Sequence, residues 1–117
     1  MTEPTTRRCF ALDLRDDPAL IHAYERWHRP GGPPPAVTRS IREAGIVSME
    51  IWRAGPRLFM IMETGPGYDP QVKAARDAAD PEVIAWEALM LKFQQPLSFA
   101  RPGEKWVPAA RIYVLDE

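Results

Sequence analysis

The chain predicts an α+β domain on the ferredoxin-like split-βαβ plan, with an antiparallel four-stranded sheet. Three observations carry that expectation. Apolar spacing alternates between strand and helix periods in the order β, α, α, β, β, α, α, β. Asp-Pro pairs at Asp17-Pro18 and Asp80-Pro81 mark helix starts, aspartate as cap and proline in the first turn. Ala54-Gly55-Pro56 is a short reversal between two strand-like runs, which only antiparallel neighbours can use.

The first strand is Cys9 to Leu14. A helix follows from Pro18 to about His28. Arg29 stands before Pro30 and is biased away from helix, so the chain breaks there. The proline- and glycine-rich link Pro30 to Pro34 leads into a second helix, about Pro35 to Ala44, with Gly45 as its C-terminal cap. Ile46 to Arg53 is a strand expected to carry Val47, Met49 and Ile51 on one face and Ser48, Glu50 and Trp52 on the other. Arg57 to Glu63 is its hairpin partner. A short helix near Pro70 to Ala79 precedes a stronger one from Pro81 to about Gln94, whose stripe is Val83, Trp86, Leu89, Met90 and Phe93. Arg111 to Leu115 is expected as the last strand.

With 117 residues and no linker or repeat, residues 1–117 form one domain. Apolar content of 45% and charged content of 26% fit a soluble globular chain. A net charge of −1 gives no electrostatic footprint for nucleic acid or an anionic membrane. No apolar run approaches the roughly 20 residues that span a bilayer. Residues 1–8 are polar and lack a signal peptide's apolar centre. The single cysteine, Cys9, reads as a small strand residue. The expected location is cytoplasmic.

The first helix carries the chemistry. At about 100° per residue, Leu20, Ala23, Tyr24, Trp27 and His28 share one side, while His22, Glu25 and Arg26 face the other. Tyr24 and His28 are four apart and therefore stacked neighbours. A phenol and an imidazole at one point can exchange protons with a substrate near neutral pH. The helix C-terminus would favour imidazolium, which suits a proton donor. Trp27, turned about 100° from His28, reads as core. Helices on one face of a four-stranded sheet leave the other face open. Phe59 to Met62 are apolar at every position, so that face needs cover, and self-association supplies it.

Tyr24-x-x-x-His28-x-Pro30, Gly45 followed by a strand, and Trp86 in the last helix resemble the L-rhamnose mutarotase family. The likeness covers nearly the whole length in element order. It implies a dimeric α+β barrel and an isomerase of 6-deoxy-L-hexoses. It implies His28 as proton donor, with Tyr24, Trp86 and the position of Met49 at the sugar. The pattern departs in three places. Ala85 stands where the family has the first of two tryptophans, Met49 where it has a tyrosine, and Gly31 to Pro35 where it has an aromatic. The sugar-reading surface is thus altered, and L-fucose joins L-rhamnose as the expected substrate.

Anomer exchange opens the pyranose ring. One group protonates the ring oxygen and another takes the proton of the anomeric hydroxyl. No metal, nucleotide or other cofactor is expected, since the chain has no glycine-rich phosphate loop and no His/Cys ligand cluster. The base is open at this level, with Glu50, Glu87 and Asp13 as candidates. Glu87 is expected among Val83, Ile84 and Leu91, where burial would raise its pKa. Other readings are a non-catalytic small-metabolite-binding dimeric module and a metal-free oxygenase of the dimeric α+β barrel type. A titratable pair favours the mutarotase over both.

Overall fold

The computed structural model describes residues 4–115. Its elements run β1 (Thr6–Leu14), α1 (Pro18–Trp27), α2 (Pro35–Glu43), β2 (Ile46–Ala54), β3 (Arg57–Thr64), α3 (Pro70–Ala78), α4 (Pro81–Leu91), β4 (Gln94–Gln95) and β5 (Val107–Ala109). All pairings are antiparallel, in the order β2-β3-β1-β4, and β5 also pairs with β1. This is the expected split-βαβ order, with β5 as a fifth strand beyond the four expected.

Helix starts follow from local chemistry. Asp17 Oδ1 accepts from the amides of Ala19 and Leu20 at 2.9 and 3.2 Å. Asp69 and Asp80 cap α3 and α4 in the same way, through Gln71 and Glu82. Each aspartate satisfies amide groups that the first turn leaves without intrahelical partners. After α2, Gly45 takes φ +96°, a left-handed conformation that disfavours any side chain, and turns the chain into β2. Gly32 sits so close beneath α1 that a Cβ there would overlap the Trp27 carbonyl oxygen.

The core lies between one sheet face and the helices. Leu12, Leu14, Leu58, Met60 and Met62 point inward from β1 and β3. Tyr24, Val37, Val83, Trp86, Met90 and Phe93 meet them from above. The strand period of two sends Cys9, Ala11, Phe59 and Ile61 to the opposite face.

Three boundaries differ from expectation. The last helix stops at Leu91, and Gln94–Gln95 pair with Asp13 and Leu14 as a strand. Pro96 is the cause: the chain leaves the helix before reaching it and turns back along β1. The strand that completes the β1 edge is Val107–Ala109, paired with Cys9 to Ala11, not Arg111 to Leu115. The latter run has strand-forming residues but no neighbouring strand within the chain, and Ile112 is 95% exposed. A bulge between Ile46 and Ser48 shifts β2 by one residue. It puts Ile46 inside and leaves Val47 exposed, while Met49 and Ile51 keep the inner side.

Candidate active site

A cavity of about 330 Å³ opens between the inner sheet face and α1, α2 and α4. That volume falls within the usual range for small-molecule pockets. Among the described residues no helix is long and apolar enough to cross a membrane.

Helix α1 brings Tyr24 and His28 together on the cavity wall, as their spacing predicts. Their ring centroids are 4.3 Å apart with a tilt of 36°. His28 follows the last helical residue. Its Nδ1 lies 2.7 Å from the Tyr24 carbonyl oxygen. A carbonyl can only accept, so Nδ1 carries the hydrogen and Nε2 keeps the free lone pair. Burial pulls the His28 pKa below 6.5, and the bond to the Tyr24 carbonyl opposes that only in part. The expectation that the helix end favours imidazolium is therefore corrected: desolvation dominates and the resting ring is neutral near pH 7.

Tyr24 is 3% exposed, and its pKa is pushed up to about 12. Burial is the main cause. A hydrogen bond from Gln94 lowers it, and the charge of Glu87 raises it. Tyr24 is thus a neutral phenol near pH 7 that can hydrogen-bond but does not readily give up its proton, so the proton exchange that its spacing with His28 suggested falls to the imidazole alone.

Helix α4 contributes Trp86, whose indole meets the His28 ring edge-on at 5.5 Å. Met49 and Ile51 of β2 line the sheet side beside Met60 and Met62 of β3. All four residues marked by the sequence for the site, His28, Tyr24, Met49 and Trp86, therefore share one cavity. Trp27 differs from expectation. It is 41% exposed and packs edge-on against Trp86 from outside, because the helix end lies beyond the edge of the core.

The three candidate carboxylates separate. Asp13 lies on the outer sheet face in a two-pronged ion pair with Arg57. Glu50, also turned outward by the strand period, bonds the Trp52 indole at 3.1 Å. Neither lines the cavity. Glu87 does, at the mouth and half exposed, held by Lys105. Its expected burial is corrected, since Ile84 and Leu91 beside it are themselves exposed.

Sequence reasoning missed Gln94, Tyr68, Lys105 and Trp106, all of which line the cavity. Lys105 and Trp106 come from the 96–106 segment between β4 and β5, which has no periodicity to read. Gln94 did carry a signal. It stands four after Met90, a polar residue continuing an apolar stripe.

A crystal structure of an L-rhamnose mutarotase from Formosa agariphila superposes with a TM-score of 0.67, covering 95% of this chain and 99% of that chain at 16% identity. At that identity it supports the fold. An L-fucose mutarotase of Xanthomonas campestris pv. campestris is 56% identical over 111 residues, 95% of this chain and 89% of the relative. A UPF0734 protein of Dictyostelium discoideum is 34% identical over 114 residues, 91% of this chain and 86% of the relative. The family model described as L-rhamnose mutarotase matches residues 7–115, which takes in every side chain of the cavity. With that match added to the shared fold and the Tyr24–His28 pair, the chain belongs to the L-rhamnose mutarotase family.

Proposed function

We propose that the protein interconverts the α and β anomers of a 6-deoxy-L-hexose, L-fucose foremost, by acid–base ring opening. The observation that carries this is the His28 ring on the wall of a monosaccharide-scale cavity, its Nδ1 committed to the Tyr24 carbonyl and its Nε2 left for the sugar. The 56% identity to an L-fucose mutarotase supports the choice of sugar.

A single imidazole can serve both halves of the reaction. Neutral Nε2 takes the proton of the anomeric hydroxyl. The C1–O5 bond breaks as the C1=O1 double bond forms, and the electron pair goes to O5. The imidazolium returns its proton to O5, which lies beside O1 because both are bonded to C1. The free aldehyde turns about C1–C2 and recloses by the reverse steps. His28 is then the donor to the ring oxygen, as the family resemblance implies, and no separate carboxylate base is needed. Tyr24 holds a sugar hydroxyl. Trp86 and Met49 offer apolar surface to C–H groups and the C6 methyl.

The homodimer belongs to the same reading. On the outer sheet face Trp52 is 60% and Val47 63% exposed, with Phe59 and Ile61 between the strands. Ile112, Tyr113 and Leu115 are also exposed. A second copy covers the sheet face and gives that segment a strand to pair with. A cytoplasmic setting completes the proposal, in keeping with the free thiol of Cys9.

Saturation-transfer NMR of L-fucose and L-rhamnose tests it. The protein should accelerate exchange between the anomeric protons, and His28→Ala should abolish that. Sugar binding without any acceleration would put the non-catalytic binding module in its place.

A further inference from the structure

Gln94 is a buried polar residue that the ring-opening chemistry does not use. It is 5% exposed and lines the cavity beside Tyr24. Its amide hydrogen-bonds the Tyr24 hydroxyl and partly offsets the rise that burial imposes on the phenol. That effect requires the amide nitrogen to donate. The amide oxygen Oε1 remains, and among the described residues it is the buried side-chain oxygen or nitrogen with no partner. A buried acceptor without a partner is destabilising and calls for an explanation, and a ligand in the cavity that its residue lines supplies one. Main-chain geometry keeps Gln94 in place: it pairs with Leu14 in the β1–β4 ladder, two residues before Pro96.

We infer that Gln94 reads one ring hydroxyl of the sugar, at C2 or C4, and thereby selects between L-fucose and L-rhamnose. The inference rests on the mutarotase reading of this cavity. The two sugars carry the same C6 methyl and the same anomeric chemistry. They differ in the axial or equatorial placement of the hydroxyls at C2 and C4. A fixed acceptor reached by one placement and missed by the other discriminates between them. Apolar surface such as Met49, Met60 and Met62 cannot do so with comparable strength. Tyr24 and Gln94 form one unit, the amide nitrogen orienting the phenol and the amide oxygen taking the sugar hydroxyl.

The test has two arms, both read by saturation-transfer NMR. In the first, the wild-type protein is given L-fucose and its 2-deoxy and 4-deoxy analogues. One analogue should lose kcat/KM by about 10- to 100-fold and the other by much less. In the second, Gln94→Met, close in volume but with no acceptor, is compared on L-fucose and L-rhamnose. The preference between the two sugars should shrink by about tenfold or more, and the deoxy analogue that the wild type rejects should become as good as L-fucose. Similar rates for wild type on L-fucose and both deoxy analogues would overturn the inference, whether or not the variant folds. So would an unchanged sugar preference in a folded Gln94→Met. That second result is expected if Oε1 serves only the neighbouring hollow of about 480 Å³ that Gln94 also borders. A wild type inactive on every 6-deoxy-L-hexose would remove the mutarotase reading itself, and this inference with it.

Discussion

The Nδ1 atom of His28 and the carbonyl oxygen of Tyr24 lie 2.7 Å apart, one helical turn from each other. That contact fixes the tautomer of the imidazole and the direction of its other nitrogen. The residue that orients the histidine through its backbone also lines the cavity.

His28→Ala should cost about 10²- to 10⁴-fold in anomer exchange, the usual range for a positioned acid–base group. His22→Ala should leave exchange unchanged, since His22 is exposed on the far side of α1. A large loss at His22 would contradict the placement of the helix.

The pH profile follows from the neutral ring. Protonated His28 has no lone pair for the anomeric proton, so kcat/KM should rise with pH through a pKa below 6.5 and then stay level past pH 8. Tyr24, at about 12, adds no alkaline limb in that range. Stability should share the acid dependence. The folded pKa of His28 is depressed, so below pH 6.5 the unfolded chain takes up the proton more readily and stability falls. Denaturant titrations of wild type and His28→Ala from pH 5 to 8 check the sign, and the variant should show the flatter curve.

Glu87→Gln should keep exchange within about tenfold of wild type, because one imidazole performs both proton transfers. A loss of about 10²-fold or more, together with disappearance of the wild-type acid limb from the pH profile, would instead assign the base to Glu87.

Trp86 is 8% exposed and supports both core and cavity. Trp86→Ala should destabilise by about 3–5 kcal/mol, measured by urea unfolding. Trp86→Phe keeps an aromatic face, so most of the stability should return while KM for the sugar rises.

Phe59→Glu places a charge at the centre of the outer sheet face, where Phe59 is opposite Trp52. Light scattering should show a dimer for wild type and a monomer for the variant. A monomeric wild type at micromolar concentration would refute the proposed pairing.

Much of this protein could be read from local chemistry. Asp17 and Asp80 announce their helices because a short carboxylate satisfies first-turn amides whatever the tertiary context. Tyr24 and His28 had to meet because the helical repeat brings residues four apart together. Along β3, where Leu58 to Met62 are all apolar, only the fold decided that Leu58, Met60 and Met62 face the core. What depends on neighbours distant in sequence was decided only on folding. The bulge at Ile46–Ser48 answers to the β3 register, and it reversed the side of Val47. The split of the sheet edge into Gln94–Gln95 and Val107–Ala109 answers to the space left along β1. The charge states are also tertiary. Isolated helix α1 would leave His28 solvated and subject to the helix end, whereas packing against Trp86 and the sheet desolvates it and reverses the shift. Gln94 acquired its unpartnered oxygen in the same way. A residue's own type determines what it can donate or accept, and only the assembled walls determine which of those capacities remain open to a ligand.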